Sequence, residues 1–216
     1  MNYSDTRTDQ RTEADKVLGD TYKLLGLTLL FASFASYLSV VFAVPQIHWL
    51  IVFGVHLLLL YLIEKNNENM FGLVLTFAWT GWLGLSTGPA ISYYLTIPNG
   101  SDIIIQSLLG TSIIFVGLSG WVLYKKTDLH KWSSFLSITL LSAFIMGVLN
   151  MLVFQSGIFS TIISTVFMFL SGAVIMWQTS EIIHGGERNY IRATTTLFVS
   201  IYNIFMSLLN ILGNNR

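Results

Sequence analysis

The chain contains no cysteine, three prolines and very little charge, with 11 Lys+Arg and 11 Asp+Glu among 216 residues. Without cysteine it is neither a disulfide-built secreted domain nor a thiolate metal centre. A zero formal net charge supplies no basic surface for nucleic acid. Charged residues make up 10% of the chain, whereas a water-facing surface normally needs about a quarter. A soluble enzyme is excluded on that ground. What the chain has instead is 53% hydrophobic residues and a mean hydropathy of +0.66.

The charges cluster so that Leu24–Ile63, Asn69–Ser101, Ile103–Tyr124, Trp132–Ser180 and Ala193–Asn215 contain no Asp, Glu, Lys or Arg. A hydrocarbon core about 30 Å thick needs about 20 helical residues per crossing. The five stretches therefore hold two, one, one, two and one spans, with breaks near Pro45 and near Gln155-Ser156-Gly157. The reading is an all-α integral membrane protein, a seven-helix transmembrane bundle. Its spans are expected at 22–44, 47–63, 70–95, 103–124, 133–154, 158–183 and 191–212. Residues 1–21 mix Asp, Glu, Arg and Lys with few apolar groups and read as a polar, disordered tail. That head is too long and too mixed in sign for a cleaved signal, so the first span is expected to stay attached. The transmembrane domain then covers 22–212, with 213–216 as a short external tail.

Ten of the eleven basic residues fall on one side, including Lys65, Lys125, Lys126, Lys131, Arg188 and Arg192, and Arg216 stands alone on the other. The excess of basic residues in cytoplasmic loops then places the N-terminus in the cytoplasm and the C-terminus outside. Tyr61, Trp121, Tyr124, Trp132, Trp177 and Tyr190 near one boundary, and Trp49, Tyr93 and Tyr94 near the other, are expected as interfacial anchors.

Ionisable groups at bilayer depth usually mark ion or proton pathways, and here only His48, His56 and Glu181 qualify. No metal or cofactor site has enough ligands. Uncharged polar residues do show a period. Thr196, Ser200, Asn203, Ser207 and Asn210 form one face of the last span. Ser164, Ser171 and Gln178 recur every seven residues on the sixth. Lipid cannot satisfy such groups, so the two stripes are expected to face each other or Asn150 of the fifth span, with the last helix central. Simple interhelical hydrogen bonding and a hydrated cavity both fit the pattern.

Gly81, Gly84 and Gly88 give the third span a small-residue face, and Pro89 is expected to kink it. Gly84-Leu85-Ser86-Thr87-Gly88 also spells G-x-S-x-G, but the strand–turn–helix setting of a hydrolase elbow is missing and only His56 could partner the serine. Helix packing is the expected role. His184-Gly185-Gly186 suits a left-handed helix end.

The run from Ile182 to Thr194, with its His184, Gly185, Gly186, Arg188 and Arg192, continues through Ser200-Ile201-Tyr202-Asn203. It closely resembles the bacterial YccA branch of the Bax inhibitor family, as does Thr76-Phe77-Ala78-Trp79-Thr80-Gly81-Trp82-Leu83-Gly84 with Gly88-Pro89. The resemblance implies a bundle whose last helix is enclosed by the other six, in the bacterial inner membrane. It implies binding to the membrane-anchored AAA protease FtsH, as slow substrate and restraint. The family's other known role is a pH-sensitive calcium leak gated by paired aspartates, whose positions fall at Gln178 and Ser200 here. Neither is a carboxylate, so that gate is absent or weakened and the protease role is favoured. Lys65 is the counterpart of the family's basic latch on the second span.

Overall fold

The computed structural model describes residues 3–214, with side chains from residue 12; Arg7, Arg11 and Arg216 lie outside the described side chains. Seven long helices run α1 Tyr3–Val41, α2 Trp49–Asn66, α3 Met70–Thr96, α4 Gly100–Lys125, α5 Ser133–Leu149, α6 Gly157–Ile183 and α7 Tyr190–Asn214. A short 3-10 turn precedes α5 and a wide π turn, Asn150–Phe154, follows it. All seven are long and apolar enough to cross a membrane, as expected from the uncharged stretches.

One expectation fails at the start. The stretch read as a disordered tail is helical from Tyr3 and continuous with the first span, giving α1 39 residues. At about 1.5 Å per residue, α1 reaches about 58 Å, well beyond a hydrocarbon core of about 30 Å. The cause is cooperativity, since adding residues to an existing helix avoids the nucleation cost that an isolated polar peptide must meet. Composition alone treats the segment as isolated.

α7 is central. From Ala193 to Gly213 it has no exposed residue, while Arg192 and Asn214 at its two ends are exposed. It packs on α6, α4, α1 and α3, whereas α2 lies mainly on α3 and α5 mainly on α6. Enclosure by six helices is thus corrected to enclosure by four, with α2 and α5 outside them. The core joins α1, α2, α3, α6 and α7 through Leu24, Leu25, Ile63, Trp79, Ile175, Phe198 and Ile204. Lipid tails are as apolar as these side chains, so close van der Waals packing and buried hydrogen bonds, more than the exclusion of water, hold such a core.

The α1–α3 seam shows that packing at its closest. A Cβ on Gly84 would overlap the Ala32 carbonyl, and one on Gly88 would overlap the Ser39 hydroxyl. Pro89 lacks the N–H that would bond the Leu85 carbonyl one turn back. Ser39 Oγ donates to that carbonyl at 2.8 Å, and Gly88 leaves the room for it. α3 continues through Pro89 to Thr96.

Candidate functional site

The end of the bundle that carries Lys65, Lys125, Arg188 and Arg192, the basic end, is joined by side chains from distant parts of the chain. α6 stops after Ile183, and Gly185 adopts φ +77°, a left-handed turn costly for any residue with a Cβ. The Gly186 and Glu187 N–H groups then return to the Glu181 carbonyl at 2.8 and 3.1 Å. Asn189 caps α7, its Oδ1 accepting from the N–H groups of Ile191 (2.9 Å) and Arg192 (3.0 Å). Its Nδ2 donates to the Asn67 carbonyl at 2.8 Å, tying the α2–α3 loop to α7. Arg192 forms a two-pronged pair with Glu64 at 2.6 and 3.2 Å. Lys65, the expected latch, instead lies over the Tyr61 ring of its own helix at 4.8 Å.

The α4–α5 connection is fastened to the same end. Ser180 Oγ donates to the Thr127 carbonyl and accepts from the Leu129 N–H, both at 2.9 Å. Buried Glu181 meets His130 Nδ1 at 2.9 Å. His184 Nδ1 donates to the Ser180 carbonyl at 2.9 Å. Beside this platform, Glu13, Lys16 and Asp20 of the α1 extension and His184, Glu187 and Arg188 of the α6–α7 loop line a cleft of about 730 Å³. The cleft joins the α1 extension to the α6–α7 loop.

The polar stripes of α6 and α7 face each other in part. Asn210 Oδ1 accepts from Ser164 Oγ (3.2 Å), Ser160 Oγ (3.3 Å) and Asn214 Nδ2 (3.1 Å). Ser200 bonds the Thr196 carbonyl of its own helix at 2.9 Å, and Ser207 is buried. Gln178 and Ser171 are buried, and Gln178 Nε2 and Ser171 Oγ have no partner among the described residues. Asn150 does not join the stripes. It stays in its π turn, where Nδ2 donates to the Ser156 carbonyl and Oδ1 accepts from the Ser156 N–H, each at 3.3 Å. The left-handed Gln155 reverses the chain there, and the broken helix end supplies nearer partners than α7 does.

Gly81, Gly84 and Gly88 face α1 through Phe31, Ala32 and Ser39. Ser86 of the G-x-S-x-G string sits inside α3 and donates to the Trp82 carbonyl at 2.8 Å. His56 Nδ1 is taken by Trp79 Nε1 at 3.1 Å. Among the anchors, Tyr61, Trp121, Tyr124, Trp132 and Tyr93 are exposed. Tyr94 turns inward to bond the Leu209 carbonyl at 2.8 Å, and the Trp177 indole N–H is buried.

Comparison with known proteins gives the same picture at the level of the whole chain. A family model described as Inhibitor of apoptosis-promoting Bax1 matches residues 14–216. An uncharacterized protein of Pseudomonas aeruginosa is 42% identical over 94% of this chain and 91% of its own length. The Modulator of FtsH protease YccA of Escherichia coli K12 is 39% identical over 92% of this chain and 90% of its own. An uncharacterized protein of Pasteurella multocida is 41% identical over 92% and 89%. With seven apolar helices around a buried last helix and a match over nearly its full length, this chain is a multi-pass membrane protein and belongs to the Bax inhibitor family.

Proposed function

We propose that the protein sits in the bacterial inner membrane and binds and restrains the membrane-anchored AAA protease FtsH, itself being degraded slowly. It performs no chemistry of its own in this reading. The observation that carries it is the near full-length similarity to a protein named as a modulator of that protease. The basic end supplies a fitting surface, a fastened platform with a mixed-charge cleft beside a projecting helix. The bias of Lys and Arg supports a cytoplasmic position for that end, where an ATP-driven protease works. The α1 extension is the handle for the protease, and the closely packed α1–α3 seam resists extraction.

Deleting residues 2–18 and following turnover in cells with and without the protease tests the reading. Stabilisation of the shortened chain only where the protease is present supports it; unchanged degradation in both strains contradicts it.

A second reading, a calcium or other cation leak, is favoured by one observation, the unpartnered Gln178 and Ser171 polar atoms buried beside α7. Calcium-loaded liposomes holding the protein then leak, and Ser200→Leu or Asn203→Leu blocks the flux; no leak above empty liposomes removes this reading. An amide and a hydroxyl at 178 and 200 do not titrate near neutrality. Any such flux therefore responds little to pH between about 6 and 8, apart from what His56 contributes.

A further inference from the structure

A second cavity, of about 810 Å³, lies in the half of the bundle away from the basic end, between α2, α3, α5, α6 and α7. That size is in the range of small-molecule sites. No Asp, Glu, Lys or Arg among the described residues lines it, so a phosphate or ammonium head group would stand there unpaired, which is strongly unfavourable. A ligand for this space is neutral.

Three polar side chains in the wall are already used. Tyr94 bonds Leu209, Tyr202 bonds Thr87 and Ser86 bonds Trp82. His56 is different. An indole N–H can only donate, so the Trp79 bond makes His56 Nδ1 the acceptor and leaves the ring proton on Nε2. That Nε2–H, on α2, and the Asn203 amide, on α7, have no hydrogen-bond partner among the described residues, and neither is fully buried. Besides Gln46, Trp49 and Tyr93, which also line the cavity without a side-chain hydrogen-bond partner among the described residues, the site thus offers these two free donors on α2 and α7. Beside them the walls are flat: the Phe53 ring stacks on Phe144 at 5.1 Å and 19° and on His56 at 6.4 Å and 18°. Such stacked faces favour another flat ring.

The cavity also has a way out to lipid. Phe144 and Met151 line it yet are 39% and 41% exposed. α2 and α5 pack mainly on other helices, with the Phe53–Phe144 stack bridging them. His56 lies seven residues inside the start of α2, about 10 Å deep by helical rise, which is below the level of phosphate head groups.

We propose that this cavity binds a neutral membrane amphiphile with a flat, carbonyl-bearing ring, of the quinone class. His56 and Asn203 donate to its oxygens, and its tail leaves between α2 and α5.

The test uses the full chain in phosphatidylcholine nanodiscs titrated with decylubiquinone, read as quenching of tryptophan fluorescence, since Trp49 lines the cavity and Trp79 holds His56. The expected result is saturable quenching, weakened about tenfold by His56→Phe and by Asn203→Leu, the loss of one hydrogen bond each. Gly147→Leu abolishes it by filling the cavity. A Cβ there meets nothing closer than Ile163 at 3.8 Å, and this variant, checked by its thermal midpoint for a native fold, carries the test should His56→Phe disturb Trp79. Decylbenzene, which lacks the carbonyls, does not displace the quinone, and neither does a charged lysophospholipid. Unsaturable quenching alike in all variants overturns the site. Displacement by decylbenzene overturns the carbonyl assignment, and displacement by the lysophospholipid overturns the neutral one.

Discussion

The two ends of this bundle are built on different principles. At the basic end, distant parts of the chain are closed together by specific polar bonds, among them Arg192–Glu64 across 128 residues, Asn189–Asn67 and His130–Glu181. In the other half, aromatic rings surround a cavity, and the polar groups bond mostly to their own or adjacent helices. Water and lipid explain the contrast. Loops at a membrane boundary must satisfy backbone groups that the hydrocarbon cannot, and fixing them with side chains yields a rigid surface. Apolar helices in lipid gain only from contact, and where contact is imperfect a cavity remains. A rigid end suits a protein partner and a cavity suits a small one.

The seam common to both halves should be the most sensitive. Gly84→Leu places a side chain into the Ala32 backbone and is expected to cost about 3 kcal/mol or prevent folding; thermal unfolding in detergent checks it, and a native-like midpoint would break the packing account. Asn189→Ala removes a helix cap and the bond to Asn67 together, an expected loss of about 2 kcal/mol that the same measurement reads. The exposed Glu64–Arg192 pair should couple by only about 0.5 kcal/mol in a double-mutant cycle, because both partners are solvated. Gly147→Leu, in the loose half, should leave the midpoint within about 0.5 kcal/mol of native. Equal losses from Gly147→Leu and Asn189→Ala would erase the contrast.

Much of this was legible in the sequence. The absence of charge from long runs placed all seven spans to within a few residues of their observed ends, apart from the start of α1. The four-and-three spacing on α7 picked out the helix that is enclosed, and Ser164 does reach Asn210. The rest depended on proximity that no spacing encodes. Glu64 and Arg192 meet across 128 residues, and Asn67 gave no signal beyond lying in a polar loop. Asn150 misled because its residue type suits a buried helix contact, yet the π turn beside it offered a closer partner. The α1 extension misled because its composition matches unstructured chains, while its helical state is inherited from the span that follows.

The central functional claim is that the basic end faces the protease. A photo-crosslinking residue placed at Arg188 in one variant and at Tyr93 in another, activated in native membranes, tests it directly, since the two positions lie at opposite ends and both are exposed. The account predicts an adduct with the AAA protease from position 188 and none from position 93. An adduct from position 93 alone, or none from 188 in membranes that contain the protease, would contradict it.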